Sequence, residues 1–107
     1  LKKKDILICS DKYGNYGEGE YTDEGFLLYK GAICQTQLHK GTKRVPQRDD
    51  LIASGLLKLE KKHYILQDNK IFPSVSTAAA IVLGRQSNGW VEWKNKDGKT
   101  LDSIERK

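Results

Sequence analysis

No apolar stretch in this sequence approaches the roughly 18 residues that cross a bilayer as a helix, so a spanning helix is excluded. The N-terminal Lys2-Lys3-Lys4 precedes only Ile6 to Cys9, too short an apolar run for a signal peptide. Cysteine is scarce as well. Cys9 and Cys34 are the only two and do not form a metal-binding pair, and a cytoplasmic chain of this kind is expected to keep both reduced. His39 and His63 have no Cys or His at ligand spacing, which removes a zinc site. A Walker-type glycine loop is missing, and Ser74 and Ser76 have no histidine–carboxylate arrangement near them in the sequence. Asp49 and Asp50 are adjacent on a helix start, where they complement its dipole without holding a metal. With no internal repeat or low-complexity linker, the 107 residues read as a single domain without catalytic residues, metal or cofactor.

The most informative shortage is local. From Gly25 to Arg48 there is no Asp or Glu, and none from Asn69 to Val91. These windows hold seven of the 19 basic residues and none of the 14 acids, in a chain of net charge +5. The remainder is slightly acidic, so charge is segregated along the chain. If the windows converge on folding, the result is a cationic face suited to a polyanion.

What is present reads as α+β: mostly antiparallel strands and hairpins with two or three short helices. Asp5 to Ser10 is a first strand, with Ile6 and Ile8 against Leu7 and Cys9 implying burial on both faces. Asp11 to Gly19 is a loop by its glycine and asparagine content. Glu20–Thr22 and Phe26–Tyr29 form a hairpin, and Ala32 to Thr36 is another strand. Leu38 to Val45 is basic and without periodicity. Pro46 opens a helix that Gly55 ends. Two strands, Leu56–Leu59 and His63–Leu66, follow. Ser74 and Ser76 are both capping residues for a buried alanine-rich helix from about Ser76 to Leu83, closed by Gly84. Trp90 to Lys94 reads as a strand with Val91 and Trp93 on its core face and Trp90 on the other. Asn95 to Gly98 is a turn, and Thr100 caps a last short helix.

Phe72, the serines and alanine run, Val82-Leu83-Gly84-Arg85, Asn88-Gly89-Trp90 and Trp93-Lys94 carry a resemblance. Gly25-Phe26, Lys30-Gly31, Arg48, Leu51-Ile52, Gly55 and Gly98-Lys99-Thr100-Leu101 extend it over most of the chain. Together they resemble a bacterial domain family of unknown function that sits behind GIY-YIG nuclease domains and in restriction-type proteins. It is similar to the restriction-enzyme-adenine-methylase-associated domain. Val75 stands where that family usually has proline, and Thr77 where it usually has alanine. The resemblance implies a nucleic-acid-processing context and a covalently linked catalytic domain; the Leu1 start fits a piece of a longer protein.

The expected function is a non-catalytic accessory module that positions a cytoplasmic DNA-processing enzyme on DNA, or on RNA. Lys40, Lys43, Arg44 and Arg48 are candidate phosphate contacts near a loop-to-helix junction. Arg85 and Asn88 are candidates for base edges, and Trp90 for stacking on an unpaired base. The alternative is a protein-interaction or structural module docked on its parent chain through an exposed apolar patch, for example around Trp90 and Tyr64.

Overall fold

The computed structural model describes residues 5–38 and 45–105. Among them are seven strands in one antiparallel sheet and four short helices, as the α+β reading expects. The order is β1 (Leu7–Ser10), β2 (Tyr16–Thr22), β3 (Gly25–Leu28), β4 (Ile33–Gln35), α1 (Pro46–Ser54), β5 (Leu57–Glu60), β6 (His63–Leu66), β7 (Lys70–Phe72), α2 (Val75–Leu83), α3 (Gly89–Glu92) and α4 (Leu101–Glu105).

Strands β3 and β4 behave as one long strand broken by a turn at Gly31, whose φ is +95°. Phe26 lies opposite Phe72, and Ile33 opposite Ile65, without a shift in register between the two halves. The partners β7 and β6 are likewise two halves of one strand, joined through the break by Gly31 N–H to Leu66 O and Leu66 N–H to Ala32 O. The sheet is thus a meander of β1, β2, the β3–β4 strand and the β6–β7 strand, with β5 on the outer edge beside β6.

Alternation decides which side of this sheet is covered. Leu7, Cys9, Phe26, Leu28, Cys34, Leu66 and Phe72 are buried and face α2. Helix α2 forms because Ser74 Oγ accepts the Thr77 N–H at 3.1 Å and Gly84 ends it in the left-handed region at φ 72°. Ala78, Ala79, Ile81, Val82 and Leu83 are fully buried, each large one contributing about 1.5–3 kcal/mol of transfer energy. The alanines allow close approach to the sheet, and glycines on β2 allow it from below. A Cβ on Gly17 would lie 2.9 Å from Val82, and one on Gly19 would lie 2.5 Å from the Phe26 ring. That packing explains why β2 begins at Tyr16 although its composition reads as a loop through Gly19. Glycine is here for space beneath a helix, not for a turn.

Two further readings are corrected. The strand expected over Trp90–Lys94 is instead the helical turn α3. Asn88 Oδ1 accepts the Trp90 N–H at 3.1 Å and Ser76 Oγ accepts the Gly89 N–H at 2.9 Å, so the entry to that turn is capped twice. Trp93 still reaches the core, stacked on Phe26 at 4.1 Å between ring centroids and donating from Nε1 to Val75 O at 3.0 Å. Val91, expected beside it, is 44% exposed. The second correction concerns β1, which is buried on one face only: Ile6 is 52% exposed. Tyr16, Ile33 and Ile65 share a cross-strand row on the same outer side, which no helix covers among the described residues.

Candidate nucleic-acid interface

The two acid-free windows do pack against each other. Their junction is the C-terminal end of α2, where a Cβ on Gly84 would lie 2.6 Å from the Gln35 side chain and 3.1 Å from Gln37 O. The chain leaves this junction at Leu38 and returns at Val45 to start α1. Val45 is buried, and it lines a groove of about 220 Å³ together with Gln47, Ser76, Thr77, Ala80, Gln86 and Ser87. Among the described residues no carboxylate lines it. Hydroxyls and carboxamides dominate, a hydrogen-bonding surface. Lys40, Lys43 and Arg44 belong to that loop and lie outside the described residues, as does His39.

Arg48 has a different position from the one expected of a phosphate contact. Its residue is 8% exposed, and its Nη2 donates to Gln35 O at 3.2 Å and to Thr36 O. The guanidinium lies over the Tyr64 ring, 5.5 Å from the centroid. Arg48 is therefore a strut that ties α1 to the end of β4. Its Nε has no acceptor among the described residues. Arg85 is partly exposed, but its Nη2 lies 2.7 Å from Glu92 Oε2 and its Nη1 donates to Ser87 Oγ at 2.9 Å. Glu92 lies just past the acid-free window and balances that charge. Asn88 caps α3, so its carboxamide oxygen is engaged with the backbone.

Trp90 does not border this groove. It is half-buried at the edge of a second hollow of about 300 Å³ and meets Tyr21 edge-on, with centroids 5.4 Å apart and planes at 64°. The other walls include Thr22, Asp23, Glu24, Pro73 and Ser74, and Ser76 borders both hollows. The proposed residues thus divide. Arg85 bonds Ser87 on the wall of the acid-free groove, Trp90 lines the acidic hollow, Arg48 acts inside the fold, and Asn88 is an exposed residue spent on capping α3. Sequence reasoning missed Gln47, Gln86 and Tyr21. Isolated neutral side chains have no period or charge pattern to single them out.

Both cysteines are free and buried. Burial, with a smaller contribution from the Glu92 charge, pushes the Cys9 thiol up to about 12, and burial does the same for Cys34. Such thiols are poor nucleophiles. Among the described residues no group of His, Cys, Asp and Glu is arranged to hold a metal ion. No helix there is long and apolar enough to cross a membrane.

A family model described as a domain of unknown function (DUF4357) matches residues 7–105. No curated protein and no solved structure matches the chain.

Proposed function

The chain belongs to the DUF4357 family of domains of unknown function, and we propose that it is a non-catalytic nucleic-acid-binding module that holds a linked DNA-processing domain on its substrate. The observation that carries this reading is the carboxylate-free groove at the root of the basic loop. Phosphates are attracted by Lys40, Lys43 and Arg44, which flank the groove in sequence through Val45. Gln47, Gln86, Ser76 and Thr77 then offer hydrogen bonds that fix the backbone's position. With few cations the affinity is modest, and the linked domain makes up the difference through effective concentration.

Fluorescence anisotropy with labelled duplex DNA, single-stranded DNA and RNA at two salt concentrations tests this. Binding falls with salt at a log–log slope of about −0.9 per neutralised duplex phosphate. The pair Lys43→Glu and Arg44→Glu abolishes most binding and leaves the urea midpoint unchanged. Salt-insensitive binding, or normal binding by that variant, removes the proposal.

The outer face of the sheet, which no helix covers among the described residues, favours the second reading, a module docked on its parent chain. Tyr16 is 39% and Ile71 44% exposed there, beside the half-buried Leu27, Ile33 and Ile65. Protection of that face from hydrogen exchange only when the parent's other domain is attached supports it.

A further inference from the structure

The second hollow has a chemistry opposite to that of the groove, and we propose that it receives an arginine side chain of a partner polypeptide. Its aromatic walls are Tyr21 and Trp90, set at 64° to each other. In this edge-to-face pair one ring spends a face on the other's edge, and an aromatic face left at the wall of the hollow attracts a cation through its negative π system. Asp23 and Glu24, both exposed, stand on the same rim, and no Lys or Arg is among the described residues that line it. A phosphate is repelled by these two charges, so the hollow does not continue the proposed nucleic-acid surface.

The acidic turn is held in place. Thr22 Oγ1 accepts the Glu24 N–H at 3.1 Å and lies 3.3 Å from Gly25 O. Gly25 has φ 131°, and a Cβ there would lie 2.0 Å from Phe72 O, so only glycine lets the turn press against β7. Ser74 Oγ is occupied by the Thr77 N–H. The Thr22 and Ser74 hydroxyls are therefore engaged in local bonds, and Asp23 and Glu24 supply the charged acceptors among the lining residues. The positive end of α2 at this rim would by itself suit an anion, but the carboxylates beside it already supply that charge.

A planar guanidinium satisfies both kinds of wall. It stacks on an aromatic face and presents a fork of N–H groups that a carboxylate accepts in pairs. Arg48 over the Tyr64 ring, donating to the Gln35 and Thr36 carbonyls, shows the same combination inside this fold. A compact ammonium lacks the flat stacking surface, and a neutral base gains nothing from the two charges.

The probe is the peptide acetyl-Gly-Arg-Gly-amide, titrated into the ¹⁵N-labelled chain. Matched peptides carry citrulline, which keeps the shape without the charge, or lysine. The arginine peptide shifts the Trp90 indole N–H and the Tyr21 and Glu24 amides. Citrulline and lysine peptides bind at least tenfold more weakly. The double variant Asp23→Asn with Glu24→Gln loses at least tenfold, with an unchanged urea midpoint and DNA binding no weaker than before. Equal binding of the citrulline or lysine peptide overturns the proposal. So does full binding by the double variant, or shifts that leave Trp90 and Tyr21 unmoved.

Discussion

The two hollows that meet at Ser76 differ in the charge of what borders them. One is walled by residues from the acid-free windows, with carboxamides and hydroxyls. The other takes its rim from Asp23-Glu24, immediately before the first window opens at Gly25. The same helix, α2, contributes backbone and serine side chains to both. Charge segregation along a sequence can therefore survive folding when a buried neutral helix separates the segments. α2 carries no charged residue, so the loops on either side of it set the sign of each hollow.

If the helix that both hollows share is what shapes them, loosening its start should disturb them together. Trp93 anchors that start: it is fully buried, stacks on Phe26, and ties Nε1 to Val75 O, next to Ser76. Trp93→Ala is expected to cost about 3–5 kcal/mol, the range for emptying a large aromatic site in a core. Urea unfolding measures it, and both DNA and arginine-peptide binding should fall in the same variant. A loss under about 1 kcal/mol would mean the hollows are supported separately.

A smaller effect sharpens the distinction on the groove side. Arg48 was expected at the phosphates, yet its guanidinium holds the carbonyls of Gln35 and Thr36. Arg48→Ala should lower stability by about 1.5–3 kcal/mol through lost charge-assisted hydrogen bonds. Once correctly folded at low temperature, the variant should keep the salt slope of DNA binding. A slope reduced by about 0.9 with unchanged stability would return Arg48 to the interface.

These residues also show what was legible in advance. Period and capping chemistry are local, so α2, its Ser74 cap, the Gly84 and Gly55 ends and the β5–β6 hairpin were readable from short stretches. Gly17 and Gly19 were not, because their reason lies in partners on other elements, Val82 on α2 for Gly17 and the Phe26 ring on β3 for Gly19. Asn88-Gly89 read as a turn before a strand. Its partner Ser76 Oγ, which starts a helix there instead, comes from another element. Arg48 was found as a special residue but assigned to solvent, since a sequence does not reveal which carbonyls end a strand beneath it. The identities of candidate residues were visible; the side of the fold on which each acts was not.

The mildest test asks whether the layer under α2, the helix that both hollows share, is closed to solvent. Cys9 and Cys34 lie in the layer under α2 and are raised from 9.0 to about 12. In the unfolded chain the thiols ionise near 9, whereas in the folded chain they keep their protons until about 12. The folded state therefore holds more protons between those values. Below pH 9 the thiols leave stability unchanged with pH, and from pH 9 toward 12 stability declines as the unfolded state alone ionises. At pH 8 neither thiol should react with an aromatic disulfide reagent at an appreciable rate. Urea should release both, because the thiolate fraction then rises about a thousandfold. Fast reaction of one native thiol would show that the layer under α2 opens to solvent, against the burial of both cysteines.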